Sequence, residues 1–241
     1  MRRLLLVGLL LLGAGCRSAS TTETPAAPVA AERVTIPAAD GLTLVGTYRQ
    51  GAGDVDRPAV LLLHMLGSNR QAWDGVTPAL QAAGFTTLAL DMRGSGETGG
   101  AADWVQALDD VARACSFLRD RPGVDALRVA VVGGSIGANM ALLLGAAEPE
   151  IVTVVALSPG LDYRGVQPGA AVEALGARPL LLVASSEDRY AAASATTLAA
   201  AARGAGSRLV IYDGAGHGTA MLDREPALTD LLLTWLEAPG R

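Results

Sequence analysis

An α/β protein, with a mostly parallel sheet of eight strands covered by helices on both faces, is what this chain of 241 residues predicts. Three observations lead there. Short, nearly continuous apolar runs alternate along the chain with longer stretches whose apolar residues recur at helical spacing. Turn-forming Gly, Pro, Asp and Ser residues punctuate the junctions. Half of the residues are hydrophobic and 18% are charged, too apolar a mixture for a disordered chain and too polar for a membrane protein of many spans.

The amino terminus reads as a leader. Met1-Arg2-Arg3 is a short basic segment, and residues 4–12 form an apolar run too short to cross a bilayer as a helix. Gly13-Ala14-Gly15 leads into Cys16, a layout that resembles a bacterial lipoprotein box, although Gly13 stands where such boxes usually carry leucine. The resemblance implies a signal peptide over residues 1–15, cleavage before Cys16 and lipidation of that cysteine. The protein is then expected to be exported and held to the cell-envelope membrane by its lipid; ordinary secretion is the competing expectation. Residues 16–32, rich in Ser, Thr, Pro and Ala, read as the lipidated cysteine and a flexible linker, and residues 33–241 as the α/β domain.

Within that domain, residues 34–36 and 42–48 flank the turn signal Ala39-Asp40-Gly41, which predicts an antiparallel hairpin at the sheet edge. Strands follow at 59–63, 86–90, 129–132, 151–157, 180–184 and 209–212, each a run of the kind buried on both faces. Pro58 and Pro179 stand just before strands, where a missing N–H is tolerated. Helical spacing covers 70–83, 104–121, 136–148, 191–203 and 226–236. Cys115 falls on the apolar stripe of the second of these, as a small core residue. Right-handed crossovers place the ends of the parallel strands, and the loops after them, along one edge, where the sites of open α/β sheets gather.

Charge removes one class of partner. All 19 basic residues are arginine, against 24 acidic residues, and the net charge is −5. Nothing in the chain would neutralise a row of phosphates, so no nucleic-acid partner is expected. No repeat of solenoid or propeller length is present.

The loops after the strands carry the candidate chemistry. The 129–132 strand runs into Gly133-Gly134-Ser135-Ile136-Gly137 and then a helix, the strand–turn–helix context in which G-x-S-x-G marks an exposed nucleophilic serine. A serine hydroxyl needs a base to take its proton. Only His64 and His217 exist, and His217, in a glycine-flanked loop after the 209–212 strand, comes after the serine in chain order. An acid to orient it is expected after the 180–184 strand, in Ser185-Ser186-Glu187-Asp188-Arg189. Asp188 is the first choice and Glu187 its rival, with Asp162, past the 151–157 strand, more remote. The N–H of Ile136 supplies one oxyanion donor, and the His64-Met65-Leu66-Gly67 loop a second, from Leu66 or alternatively Met65. His64 itself reads as the anchor of that loop.

Taken in order, His64-x-x-Gly67, Asp91-x-Arg93-Gly94-x-Gly96, the turn at Ser135, Asp188 and His217 resemble the α/β-hydrolase superfamily over residues 34–237. Gly133-Gly-Ser-Ile-Gly-Ala-Asn139 is similar to the dienelactone-hydrolase-like bacterial esterases. The family usually has glycine where Met65 stands, and the Asp91 loop is expected to be structural. The resemblance implies a serine hydrolase that cleaves carboxylic esters through a Ser135–His217–Asp188 triad and an acyl-enzyme, with no cofactor and no metal. Thioesterase, peptidase or acyltransferase chemistry on the same fold is the alternative, as is a non-catalytic, surface-anchored binding module. Superfamily caps commonly insert after the 151–157 strand, and here residues 158–178 leave only a minimal one. That implies an open cleft and a small-molecule ester.

Overall fold

A computed structural model of the protein describes residues 30–53 and 56–238. The leader at 1–15, Cys16 and most of the linker lie outside the described residues. The sheet has eight strands: β1 (Glu32–Pro37), β2 (Thr43–Arg49), β3 (Arg57–Leu63), β4 (Thr86–Asp91), β5 (Val124–Gly134), β6 (Ile151–Leu157), β7 (Leu180–Ser185) and β8 (Arg208–Tyr212). Their order is β1-β2-β4-β3-β5-β6-β7-β8. β1 and β2 form the expected antiparallel edge hairpin, β2 also runs antiparallel to β4, and every later pairing is parallel. β1 begins one residue inside the stretch read as linker.

Among the described residues, seven α-helices accompany them: α1 (Thr77–Ala82), α2 (Trp104–Arg119), α3 (Ile136–Ala147), α4 (Gly169–Ala174), α5 (Arg189–Ala201), and, after β8, α6 (Met221–Arg224) and α7 (Pro226–Glu237). The continuous apolar runs are explained by burial on both sheet faces. In β3, Leu61 and Leu63 pack with Val111, Cys115, Met140 and Leu198 on one side, while Val60 and Leu62 pack with Trp73, Leu80, Leu228 and Leu232 on the other. Cys115 is fully buried, and burial pushes its thiol up to about 11.

One expected helix is broken. Residues 70–83 form a tight 3-10 turn at Arg70–Trp73 and then α1, which starts afresh around Pro78. The break falls at Asp74–Val76, where Gly75 stands and where Pro78 has no N–H for the Asp74 carbonyl. Ahead of it, the Arg70 N–H donates to Asp91 Oδ1 at 2.7 Å, and its guanidinium pairs with Asp91 and Glu97. Asp91, fully buried, also accepts the Glu97 N–H at 2.8 Å. Beside it, Arg93 makes two bonds to Asp110 of α2, at 2.7 and 3.0 Å, and two to Asp40 in the hairpin turn, at 2.7 and 3.4 Å. The Asp91 loop is therefore a brace between hairpin, sheet and helix, as the sequence suggests. The cap region at 158–178 holds only α4 and one paired turn.

Asp91→Ala takes away one of the two carboxylates that pair the buried Arg70 guanidinium, leaving Glu97, and frees the N–H groups of Arg70 and Glu97. It is expected to lower unfolding stability by about 3 kcal/mol or more in urea titration; a loss under about 1 kcal/mol, the range of a surface pair, would refute the bracing role.

Candidate active site

Ser135 follows β5 directly and caps the start of α3 with φ 55° and ψ −120°, in the left-handed region. Such a backbone costs about 1–3 kcal/mol and persists only where its surroundings impose it. Here its N–H donates to the Leu157 carbonyl of β6 at 2.8 Å, and its carbonyl accepts the N–H groups of Ala138 and Asn139 at 2.9 and 3.2 Å. The outer glycines let the turn seat against its neighbours. A Cβ on Gly137 would lie 2.5 Å from the carbonyl oxygens of Leu63 and His64, and one on Gly133 would overlap the Gly137 carbonyl.

His217, in the loop after β8, comes to this serine. Its Nε2 lies 2.7 Å from Ser135 Oγ, and its Nδ1 bonds the Asp188 carboxylate. A carboxylate only accepts, so Nδ1 carries the ring proton and Nε2 is free to take the serine's. The other Asp188 oxygen accepts the Ala191 N–H at 3.2 Å, capping α5. The rival Glu187 does not touch the imidazole. It accepts the N–H groups of Gly214 and Gly216 at 2.8 and 2.9 Å and the Ser185 hydroxyl, and those donors hold its carboxyl at about 2. Glu187 thus pins the loop that carries His217. Asp162 is engaged in its own turn, accepting from Gly165 N–H and the Gln167 amide, each at 2.7 Å.

The β3 loop lies across the turn from β6. His64 Nε2 accepts the Met92 N–H at 3.0 Å, which assigns its proton to Nδ1 and makes Nδ1 the donor to the Met65 carbonyl at 2.8 Å. Burial lowers the His64 pKa, so the ring stays neutral and the loop stays anchored. The Ser68 N–H donates to the same carbonyl at 3.2 Å. Because the peptide is trans, tying back the Met65 carbonyl turns the Leu66 N–H away from the ring. Among the described residues, the N–H groups of Met65, Leu66 and Ile136 have no protein acceptor. Met65 takes no positive φ, so its place in the loop does not require glycine, and its sulfur lies against Gly218.

A cavity of about 370 Å³ opens beside His217, between Met65, Asp188, Gly216, Ala220 and Arg224. Among the described residues, no cluster of three His, Cys, Asp or Glu side chains is placed to hold a metal ion. Sequence reasoning missed Tyr163, whose ring meets His217 edge-on at 6.3 Å between centroids. It missed Asn139 as well, a fully buried amide in α3 that bonds the Tyr163 loop. A polar residue inside an otherwise apolar helix was the available signal. A serine hydrogen-bonded to a carboxylate-oriented imidazole, beside free main-chain donors, is equipped for nucleophilic acyl transfer.

Comparison with known proteins agrees with this architecture. A family model described as serine aminopeptidase, S33, matches residues 55–177, and one described as TAP-like protein matches residues 154–241. An uncharacterized protein of Mycobacterium tuberculosis is 36% identical over 96 residues, 39% of this chain and 27% of that protein. The chain thus aligns with about a quarter of that relative's length. Among solved structures, an acetyl xylan esterase from Paenibacillus is similar with a TM-score of 0.77 at 18% identity, covering 91% of this chain and 87% of that one. A dienelactone hydrolase from Anabaena variabilis gives 0.71 at 21% identity, covering 88% and 99%.

The depressed Glu187 carboxyl stabilises the His217 loop above its ordinary 4.5, and that contribution fades as pH falls toward about 2. A gap in Tm between wild type and Glu187→Gln is therefore expected above pH 4.5, closing as pH approaches 2. A gap that stays constant with pH would refute this role.

Proposed function

Because the chain belongs to the family described as serine aminopeptidase, S33, on the α/β-hydrolase fold, we propose that it is a serine hydrolase cleaving small carboxylic esters, with Ser135 as nucleophile, His217 as base and Asp188 as orienting acid. One observation carries this: an unbroken hydrogen-bonded line from Asp188 through His217 to Ser135, ending on a serine whose backbone is held under strain. Ser135 attacks the ester carbonyl while His217 takes its proton. The N–H groups of Ile136 and Leu66 receive the developing oxyanion, Leu66 being favoured over Met65 by the tied-back Met65 carbonyl. The imidazolium then protonates the departing alcohol, and water, activated by the same base, frees the acyl group.

The short 158–178 cap suits a small ester presented from solvent. Fold likeness to an acetyl xylan esterase and a dienelactone hydrolase supports the same substrate class. The family description favours a second possibility, cleavage of amino-terminal peptide bonds, in which the same residues expel an amine. Thioester cleavage or acyl transfer to an alcohol would use them too. We further propose that residues 1–15 export the protein and that lipidated Cys16 holds it to the cell envelope.

Wild-type protein is expected to hydrolyse p-nitrophenyl acetate faster than aminoacyl p-nitroanilides and to take up a fluorophosphonate at Ser135. Ser135→Ala should lower turnover by about 10³-fold or more; equal rates in the two proteins would refute the assignment, and preference for the anilides would favour the peptidase. In cells, Cys16→Ser should release the protein from the membrane fraction, and unchanged partitioning would refute the anchor.

A further inference from the structure

We infer that Tyr163 is a fourth catalytic group of this centre, its hydroxyl donating a hydrogen bond to the leaving-group oxygen; the inference rests on the hydrolase mechanism above. The phenol hydroxyl donates to the Ser158 carbonyl at 3.2 Å, a long bond, and its oxygen lies near enough to the Ser135 side chain to be influenced by it. Its ring stands perpendicular to the imidazole of His217, at 89°.

This placement is built. A Cβ on Gly160 would come within 2.7 Å of the Tyr163 ring, so the absence of a side chain there makes room for it. Tyr163 and Val166 exchange main-chain bonds at 3.2 and 3.0 Å. The buried Asn139 amide donates to the carbonyls of Gly160 and Val166, at 3.0 and 2.8 Å, and accepts the Gly160 N–H at 3.0 Å. The Tyr190 hydroxyl closes the loop from outside, bonding both the N–H and the carbonyl of Asp162 at 2.9 Å.

Topology gives the side of attack. β5 lies between β3 and β6. The Leu66 donor comes from the loop after β3, whereas Tyr163 comes from the loop after β6, on the opposite flank of Ser135. With the carbonyl oxygen held at Leu66 and Ile136, the leaving oxygen faces His217 Nε2, and the Tyr163 hydroxyl lies beside that line. As the carbonyl–oxygen bond breaks, its electron pair goes to the leaving oxygen and the proton from Nε2 follows. Tyr163 keeps its own proton throughout. Burial, with the Asp188 charge adding to it, pushes the phenol up to about 12, so it remains a donor at neutral pH.

A donor at the leaving group matters most for alcohols that depart reluctantly. The test compares kcat/KM of wild type and Tyr163→Phe on ethyl acetate and p-nitrophenyl acetate, which share one acyl group. The variant is expected to lose about tenfold or more on ethyl acetate and less than about twofold on the nitrophenyl ester. The rate of fluorophosphonate labelling at Ser135, whose fluoride leaves without a proton, should not change. Equal losses on the two esters, or slower labelling, would show that the ring only shapes the site and overturn the inference, as would no loss on either. Loss of wild-type hydrolysis in Ser135→Ala checks the underlying mechanism separately.

Discussion

The backbone of Ser135 turns left-handed at the end of β5, and its N–H reaches across to the carbonyl of Leu157 on β6. Almost everything else near the site is arranged around that turn. Two glycines let the β3 loop and the start of α3 press against it, and α3 itself begins on the serine's own carbonyl. The parallel register of β3, β5, β6, β7 and β8 then brings four further loops to the same edge. A flexible turn would present the hydroxyl in many directions. A turn fixed by neighbours on both sides presents it in one, toward Nε2 of His217.

The strand runs and the serine turn were legible in the sequence because both are local signals: a buried strand needs consecutive apolar residues, and the turn needs its glycines. The histidine followed by chain order. The acid was legible as Asp188 with Glu187 as its rival, since the two are adjacent and point in different directions, and a strand-end register decides which reaches the ring. Helix 70–83 misled for a different reason. Its apolar spacing is helical across the whole stretch, but Gly75 and Pro78 interrupt the main-chain bonding in the middle of it, a local signal that the apolar period outweighed. Tyr163 was not legible because its significance is a contact between a cap turn and the buried side of α3, and residues 158–178 carry no periodicity that would orient it; Asn139 stood out only as a polar residue in an apolar helix, with nothing to show which loop it bonds.

Two charged braces support the arrangement from the antiparallel half of the sheet. Asp91 gathers Arg70 and the Glu97 N–H, and Glu97 reaches on to Arg33 of β1 at 2.7 Å. Arg93 links the hairpin turn to α2 and is held protonated by Asp110 and Asp40. These groups stay away from Ser135, and their part is to fix the loop after β4. That loop in turn provides the Met92 N–H that sets the tautomer of His64. Through His64, a main-chain hydrogen bond in one loop determines which way a peptide plane faces in the next.

The loop bearing His217 is held largely by the turn after β7. Glu187 grips the main chain on one side of the ring, the Ser185 hydroxyl oxygen accepts the Ala215 N–H, and Asp188 takes the ring itself. The two loops are in effect one module written in two places along the chain. Grafting the glycine-rich pentapeptide onto another scaffold would carry the imidazole without its address; a designer would have to transplant both as a single cassette.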